Sequence, residues 1–350
     1  MADLESKFNG RTVFVTGADG FIGSHLTEKL VSLGAKVHVF VESTAHGTLT
    51  NIGHVADKVV VHRGNLTDAH SLFMALKKIK ESAHDKTYIM HLAAQAHVGE
   101  SWERPVETIM SNTMGTFNLL QAIVDSDIDV EKVDYAGTSE EYGNNLNLDN
   151  LEDETIHLHE DSPVNPKSIY ATSKLAGDFL TMNFFHAYGL PGVVTRMFNN
   201  YGPRQSPRYI TGTIITQALC RDNIILGNLT PRRDFCFVED GVRGHMHTTL
   251  MGKPGEIYCY GYGNDISIQG WADLILKIGK QNGYWGDKKL SSTKTRFRPG
   301  ESDVLRLKVG FTKLNKLTGW TPQVTWEEGI LRTIDWYSKN KDKWVGLKDW

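Results

Sequence analysis

The chain has 350 residues, of which 40% are hydrophobic, enough for the core of one large domain or two smaller ones. Its formal net charge of −3 argues against a nucleic-acid or membrane-surface partner, so any phosphate must be held by a local site. No apolar run approaches the ~20 residues needed to cross a bilayer, and the N-terminus lacks the apolar core of a signal sequence. The three widely spaced cysteines suit isolated buried thiols in a reducing compartment, so we expect a cytoplasmic protein.

Short β-branched runs alternate with helical patterns through the first half of the chain. Strands are expected at Arg11–Thr16, Lys36–Val41, Val59–Arg63, Tyr88–Leu92, Val133–Gly137 and Gly192–Met197. Helices are expected at Asp68–Ile79, Val106–Val124 and Ser168–Tyr188, among others. This alternation is typical of right-handed βαβ units on a parallel sheet that is covered on both faces. We therefore predict an α/β fold with a doubly wound parallel sheet of the Rossmann type.

The regular alternation stops after Met197. Asn199–Pro207 has the glycine and prolines of a loop, and irregular helical and strand patterns follow, among them a candidate late strand of the main sheet at Glu256–Tyr260. We predict a nucleotide-binding domain over residues 1–197 with a return at about 253–266. Residues 198–252 and 267–350 are expected to form a smaller, mixed α/β substrate domain. The acidic stretch Asn144–Ser162 predicts an exposed excursion or lid.

A glycine-rich loop follows the first strand and opens a helix. Gly17 permits a tight turn, Gly20 lets the backbone approach a pyrophosphate, and Gly23 lets the helix pack closely on the sheet. The free N–H groups at the helix start favour phosphate. Between a strand and a helix this pattern predicts a dinucleotide site, the alternative being a turn with a packing glycine. The loop residues expected to bind the cofactor are Gly17, Asp19, Gly20, Phe21, Ile22 and Gly23.

The end of the second strand bears on the identity of the dinucleotide. An acid that binds the adenosine ribose is expected at the position of Val41, and Glu42 comes next. A carboxylate here repels a 2′-phosphate, and there is no Arg or Lys in residues 39–45, so we predict NAD as the cofactor; the alternative is that Glu42 is merely solvated. Further positions expected along the cofactor, or else loop and core positions, are Asn65, Leu66, Leu92, Ala93 and Ala94.

Tyr170 and Lys174 lie in a strongly helical segment at a spacing of four, which places the phenol and the ammonium on one face. An ordinary tyrosine, with a pKa near ~10, is a poor base at neutral pH. A neighbouring lysine and a nicotinamide cation favour the phenolate and make it a usable base. Alone the spacing is common and fits a surface pair, but downstream of a nucleotide loop it indicates catalysis.

With these motifs the sequence resembles the extended short-chain dehydrogenases that act on nucleotide sugars, over nearly the whole chain. The motifs are Thr16-Gly-Ala-Asp-Gly-Phe-Ile-Gly23, His91-Leu-Ala-Ala-Gln95, Thr138-Ser-Glu-Glu-Tyr-Gly143, Tyr170–Lys174, Asn199-Asn-Tyr-Gly-Pro-Arg204, Arg233-Asp234, Arg298-Pro299 and Ser302-Asp303. The resemblance implies that Tyr170 removes the sugar 4-hydroxyl proton, that Lys174 holds the ribose, and that Thr138 hydrogen-bonds O4. It further implies a substrate-binding set of Gln95, His97, Ser101, Asn199, Arg204, Arg233 and Arg298, with His97 and Ser101 at the sugar and Asn199, Arg233 and Arg298 at the diphosphate.

Glu140 distinguishes the reactions within this family. A 4-keto sugar has an acidified C5 proton, and a carboxylate just past Thr138 can remove it while the 6-hydroxyl leaves, after which hydride returns to C6. Dehydratases of the family carry Thr-Asp-Glu or Thr-Ser-Glu here, whereas simple 4-epimerases usually replace the glutamate by a small or hydroxyl residue. The chain has Thr138, Ser139 and Glu140 and so resembles a nucleotide-sugar 4,6-dehydratase. Ser139 is a weak acid, so the proton donor to O6 stays open, a relayed water being one alternative.

Other functions stay open at this point. A 4-epimerase or a UDP-sugar-acid decarboxylase of the same family is the alternative reaction, since decarboxylases also carry Thr-Ser-Glu. A non-catalytic nucleotide-binding protein would not need Tyr170, Lys174 and Glu140, and a polynucleotide-binding protein would need a basic surface. The nucleotide stays open among UDP, GDP, dTDP and CDP, and the sugar among glucose, N-acetylglucosamine and mannose.

Two further expectations concern metals and assembly. His245 and His247 have the spacing of metal ligands, but no third ligand is near, so we predict a plain helical surface and no metal. Helices Val106–Val124 and Ser168–Tyr188 are apolar on more than one face, and the family commonly pairs these helices between subunits. We therefore expect a homodimer with C₂ symmetry.

Overall fold

The computed structural model describes residues 2–44, 47–144, 155, 157–300 and 302–347. Most of the predicted excursion Asn144–Ser162 therefore lies outside the described residues. Within the described part of the chain, the main sheet has seven strands, named here in chain order: β1 Thr12–Thr16, β2 Lys36–Glu42, β3 Val59–Gly64, β4 Thr87–His91, β5 Val130–Thr138, β6 Gly192–Met197 and β7 Ile257–Tyr260. All pairings in it are parallel, in the spatial order β7-β6-β5-β4-β1-β2-β3. The predicted α/β fold with a doubly wound parallel sheet is confirmed.

Side chains of alternating direction make two hydrophobic cores, one on each face of the sheet. Phe14 of β1 points into the core with Leu76 and Leu119, whereas its neighbours Val13 and Val15 point into the opposite core. The helices that cover the two faces of the sheet or lie beside it are Ala2–Glu5, Phe21–Ser32, Ala69–Ser82, Val98–Glu103, Pro105–Ile109, Gly115–Ser126, Ile169–Tyr188 and Val238–Met251. A π-helical turn at Met110–Met114 joins the two segments of the predicted helix Val106–Val124.

Helix Val238–Met251 packs against the main sheet, although the sequence placed it in the substrate domain. Val242 and Met246 are buried in the core beneath β1 and β2. His245 and His247 are buried as well, so the prediction that they form a plain helical surface is wrong. His245 Nδ1 lies 2.7 Å from Asp134 Oδ2 on β5, and this contact between distant segments is why a polar helix face can be buried here.

Separate from the two cores on the sheet, a further hydrophobic core lies beyond the carboxyl ends of the strands. It is called the second core here because it belongs to the second half of the chain. It is built around Trp271, Ile330 and Tyr337, with further aromatic residues stacked against them. Its helices are Ile210–Cys220, Ile268–Gln281, Trp326–Lys339 and Lys341–Trp344. Helix Thr312–Thr318 packs instead on β7 and on helix Val238–Met251, where Leu314 is buried against Tyr258 and Tyr260. Its short strands are Asn199–Tyr201 with Phe235–Phe237, Asn223–Leu226 with Lys289–Ser292, and Arg232–Arg233 with Ile266–Ser267 and Arg306–Leu307.

The chain order reverses between β1 and β4, which are adjacent in the sheet although β2 and β3 lie between them in sequence. Connections leave this point in opposite directions, so a crevice opens between the carboxyl ends of β1 and β4. The second core closes this crevice from above. Among the described residues, no helix is long and apolar enough to span a membrane. Cys236 and Cys259 are buried as predicted, whereas Cys220 is exposed.

Candidate active site

The crevice is a cavity of about 1560 Å³ between the strand ends and the second core. It is lined by 23 of the predicted site residues: Gly17, Asp19, Gly20, Phe21, Ile22, Gly23, Glu42, Asn65, Leu66, Leu92, Ala93, Ala94, Gln95, His97, Thr138, Ser139, Glu140, Tyr170, Lys174, Asn199, Arg204, Arg233 and Arg298. Ser101 is the predicted site residue that does not line it. Its side chain is buried and its hydroxyl donates to the Val98 carbonyl inside its own helix.

The glycine loop is shaped by close backbone approaches. Gly17 has φ +70°, and a Cβ there would lie 2.7 Å from the amide nitrogen of Ala93. A Cβ on Gly23 would lie 2.0 Å from the Gly17 carbonyl oxygen, so only glycine fits. Gly20 is the N-cap of helix Phe21–Ser32 and leaves the cavity wall free of a side chain. These features fit a dinucleotide pyrophosphate at the helix N-terminus.

Asp19 holds a second segment against the glycine loop. Its carboxylate accepts hydrogen bonds from the backbone N–H groups of Thr50, Asn51 and Ile52, at 2.8, 2.7 and 3.0 Å. The Asn51 side chain in turn donates to the Asp19 carbonyl at 2.7 Å. Residues 48–51 line the cavity, so Asp19 fixes a strap of backbone, residues 48–52, over the predicted adenosine end. Its side chain is therefore directed at the strap, a role that the sequence did not indicate.

Glu42 ends β2 at the same side of the cavity. Asn65, at the end of β3, donates to the Glu42 carboxylate over 3.4 Å. Val41, at the position where the ribose acid was expected, is buried in the core. A carboxylate with an amide donor beside it suits the two hydroxyls of an adenosine ribose, and the residues present fit NAD.

Tyr170 and Lys174 are buried one turn apart on helix Ile169–Tyr188 and reach the cavity together. Burial raises the pKa of Tyr170 well above its ordinary value, and the hydroxyl of Thr138 acts in the opposite direction. Burial lowers the pKa of Lys174 to about 8, opposed by Glu141 and Asp178. The lysine Nζ lies 4.2 Å from the centre of the Tyr135 ring. Within the protein alone, burial thus outweighs the groups that lower the Tyr170 pKa. The positive charge of an oxidised nicotinamide would add to the contributions that favour the phenolate.

Glu140 lies in a single 3₁₀ turn, Ser139–Glu141, directly after β5. Two oxygens of its carboxylate accept hydrogen bonds from Arg298 at 3.1 and 3.3 Å, and Arg233 lies 3.9 Å away. Burial alone would raise the pKa of Glu140, but the two arginines outweigh it and hold the pKa below the ordinary value. The group is therefore an ionised carboxylate at the cavity wall at neutral pH, as a proton acceptor must be.

The predicted diphosphate ligands have different surroundings. Arg233 and Arg298 both face Asp303, at 3.9 and 3.7 Å, as well as Glu140. The buried Asn199 Oδ1 has no hydrogen-bond partner within the described residues, and its side chain lines the cavity. Arg204, with φ +69°, pairs with Glu28 over 2.7 Å. Arg233, Arg298 and Arg204 thus all face carboxylates already, and the buried Nη1 of Arg204 has no hydrogen-bond partner within the described residues. The unpaired Oδ1 of Asn199 is an acceptor, so only the amide nitrogen of this side chain can donate to a phosphate.

The part of the cavity around Gln95 and His97, where the sugar is predicted, is also lined by a residue that sequence reasoning missed. Glu100 lines it, accepts a hydrogen bond from Gln95 at 3.4 Å and pairs with Arg208 at 3.3 Å. His97 meets Tyr209 edge-on, with ring centres 5.4 Å apart. Glu100 directly precedes Ser101 in the short helix that begins at Val98. A prediction of where this helix begins would have indicated which of the two side chains faces the cavity. No group of three or more metal-ligating side chains occurs in the described ranges of the chain.

Known proteins similar to this chain are dehydratases and epimerases of nucleotide sugars. A sequence model of the GDP-mannose 4,6 dehydratase family matches residues 14–333. The dTDP-D-glucose 4,6-dehydratase of Mus musculus is 31% identical over 95% of this chain and 90% of its own length. The solved dTDP-glucose 4,6-dehydratase of Streptomyces venezuelae with NAD bound has a TM-score of 0.82 and 28% identity, covering 96% of this chain and all of that one. A UDP-glucose 4-epimerase of Thermotoga maritima has a TM-score of 0.79 and 26% identity, covering 94% and 99%.

The glycine loop, the Tyr170–Lys174 pair and the turn after Thr138 surround one cavity on a Rossmann sheet. Together they define an extended short-chain dehydrogenase, as the sequence predicted. More narrowly, the chain belongs to the GDP-mannose 4,6-dehydratase family.

Proposed function

We propose roles for the side chains of this protein, which is an NAD-dependent nucleotide-sugar 4,6-dehydratase, as the sequence predicted. When bound, NAD supplies a hydride acceptor for C4 and later a hydride donor for C6. Tyr170 takes the proton of the 4-hydroxyl, and Thr138 orients O4 by a hydrogen bond. Lys174 holds the nicotinamide ribose and contributes positive charge next to Tyr170.

Elimination of water is assigned to the turn after β5. Glu140 removes the C5 proton, which the 4-keto group has made acidic, as the C6–O bond breaks and O6 leaves as water. Ser139 hydrogen-bonds O6, and the proton that O6 needs reaches it from Ser139 or through a relayed water. After C6 has received hydride, a proton from solvent returns to C5. The single observation that carries this assignment is the position of Glu140 at the cavity wall, two residues after Thr138, with its carboxylate accepting hydrogen bonds from Arg298. A 4-epimerase has no need of a base at this position.

For the substrate we propose a nucleoside diphosphate hexose that retains a 6-hydroxyl. Arg233, Arg298 and Asn199 would hold the diphosphate, where guanidinium groups make paired contacts with phosphate oxygens. Gln95, His97 and Glu100 would surround the sugar. The cavity reaches Trp336 and Lys343 of the C-terminal helices, where the nucleobase would lie.

A panel of dTDP, UDP, GDP and CDP sugars, analysed by mass spectrometry after incubation, tests the reaction class. Loss of water from one of them is the expected result. Loss of carbon dioxide from a sugar acid would instead identify a decarboxylase. An isomer of unchanged mass would identify an epimerase.

We also propose a homodimer through helices Pro105–Ser126 and Ile169–Tyr188. Val106 is 74% exposed and Phe179 is 57% exposed on these helices. An apolar depression of about 420 Å³ on the same face is lined by Pro105, Val106, Ile109, Met110, Ile169 and Thr172. Apolar groups of this size on a surface helix favour a covered interface. Sedimentation equilibrium should give twice the chain mass, and a monomer at every concentration would exclude the proposal.

The domain division and the location complete the proposal. We assign residues 1–197 and 238–266 to cofactor binding and the remainder to substrate binding, because helix Val238–Met251 packs on the sheet. A cytoplasmic location agrees with three free cysteines, which suit a reducing compartment.

A further inference from the structure

Behind the catalytic turn lies a buried cluster of two carboxyl groups and one guanidinium group: Glu141, Asp178 and Arg196. None of the three lines the cavity. Asp178 is one helical turn beyond Lys174, and Arg196 comes from the adjacent strand β6. The cluster is therefore separate from the groups to which the reaction has been assigned, although it touches the elements that carry them.

Glu141 closes the turn that carries Thr138, Ser139 and Glu140. Its Oε1 accepts the backbone N–H of Thr138 at 2.8 Å, while the Thr138 hydroxyl accepts the N–H of Glu140 at 3.3 Å. This reciprocal arrangement is a capping box, formed here around a single turn rather than a long helix. The orientation of Thr138 and Glu140 towards the cavity thus depends on a side chain on the opposite side of the turn.

Arg196 cannot satisfy both carboxyl groups through the one nitrogen that touches them. Its Nε lies 2.7 Å from Glu141 Oε2 and 2.8 Å from Asp178 Oδ2, but Nε has a single hydrogen, which donates to Asp178. Glu141 Oε2 and Asp178 Oδ1 are both buried, and within the described residues neither receives a hydrogen bond from an amide, hydroxyl or guanidinium group. Two ionised carboxylates so placed would each retain an unsatisfied buried oxygen.

One proton between the two carboxyl groups removes both deficits. It would make one oxygen a donor whose hydrogen bond the other oxygen accepts, and it would remove the repulsion of like charges in a buried site. Burial and the nearby Asp178 raise the pKa of Glu141 well above its ordinary value, which agrees with this arrangement. The other titratable groups facing the pair are Tyr135, Tyr142, Tyr170, Lys174, Arg196 and Cys259.

We propose that Glu141 is a positioning residue: as a neutral carboxylic acid sharing its proton with Asp178, it fixes the turn that carries Thr138 and Glu140. The effect on turnover rests on the proposed function, because it acts through the roles assigned to those two residues. Burial raises the pKa of Asp178 as well, but Arg196, which donates to it, and the ammonium of Lys174 act in the opposite direction, so the proton is assigned to Glu141 and the charge to Asp178. Glutamine should replace Glu141 well, because its carbonyl can accept from Thr138 and its amide can donate to Asp178.

Two substitutions separate hydrogen bonding from bulk. Glu141→Gln should keep kcat within about threefold of the wild type. Glu141→Met has a similar length without the hydrogen bonds, and the displaced turn should lower kcat about 10²-fold with KM and bound NAD nearly unchanged. The infrared difference spectrum of the wild type minus Glu141→Gln should contain the C=O stretch of a protonated carboxyl. Bands of other buried carboxyl groups cancel in this difference, among them Asp234, whose pKa burial raises to about 7. The difference spectrum of the wild type minus the control Glu131→Gln, on the half-exposed part of β5, should lack the band.

The outcomes decide each part separately. If Glu141→Gln is as impaired as Glu141→Met, or if the carboxyl band is missing from the difference spectrum of the wild type minus Glu141→Gln, the proposal is wrong. If Glu141→Met does not fold, the band and the activity of Glu141→Gln still decide it. If the wild type dehydrates no sugar nucleotide, the proposed function fails, whereas the infrared band still tests the shared proton.

Discussion

Removal of the Asp19 carboxylate tests whether the strap at residues 48–52 retains the cofactor. Two effects of Asp19→Ala oppose each other. The carboxylate lies in the loop that is expected to face a pyrophosphate, so its loss removes a repulsive charge and by itself favours NAD binding. It also removes the acceptor of the three backbone N–H groups of Thr50, Asn51 and Ile52, which by itself releases the strap.

The magnitudes decide which effect prevails. Each hydrogen bond to a charged group contributes about 1.5–3 kcal/mol, whereas two charges near a wet surface interact by a few kcal/mol at most and less in salt. Three such bonds exceed one screened repulsion, although water replaces part of what is lost. We expect a net weakening of about 2 kcal/mol, or roughly 30-fold in the NAD dissociation constant.

The assay is the amount of NAD retained through gel filtration, followed by titration of the emptied protein. Asp57→Ala is the matched control, because it removes one exposed acid just after the strap. The wild type and Asp57→Ala should retain NAD, and Asp19→Ala should lose most of it. Equal or tighter NAD binding by Asp19→Ala would refute the reasoning and leave charge repulsion as the dominant effect.

Three other substitutions test separate parts of the account. Tyr170→Phe should lower turnover by roughly 10²–10⁴, the usual loss for a positioned base, and near-normal turnover would assign the step to another group. Burial lowers the pKa of His62 to about 4, so His62 is protonated at a lower pH in the native state than in the unfolded chain. Stability is then lost as the pH falls from about 6.5 towards 4, and His62→Gln should reduce the loss between pH 7 and 5 by about 1–2 kcal/mol in urea unfolding. Asp134→Ala should lower the free energy of unfolding by about 3 kcal/mol, because His245 loses its buried acceptor; an unchanged urea midpoint would contradict this.

The strands and the glycine loop could be predicted because their signals are local. The β1 sequence and Gly17 to Gly23 specify a strand, a turn with positive φ and a helix within a dozen neighbouring positions. The Tyr170–Lys174 pair needed only the periodicity of one helix. In each case the residues that determine the structure adjoin one another in the sequence.

The remaining features depend on partners far apart in the chain. Glu140 and Arg298 are separated by 158 positions, so the ion pair that lowers the pKa of Glu140 has no local signature. His245 is buried because of Asp134, 111 positions away. Ser101 was expected in the cavity because its motif is visible in the sequence, whereas the rotation of its short helix is not. Glu100 lines the cavity instead.

The measurement that tests the central assignment most directly is the hydrogen at C5 of the product formed in deuterium oxide. If Glu140 removes the C5 proton, the wild-type product should carry solvent deuterium at C5. Glu140→Gln should oxidise its substrate, accumulate bound NADH and release little 4-keto-6-deoxy product, since an amide cannot accept this proton. A dehydrated product without deuterium at C5, or normal turnover by Glu140→Gln, would contradict the assignment of the elimination to Glu140.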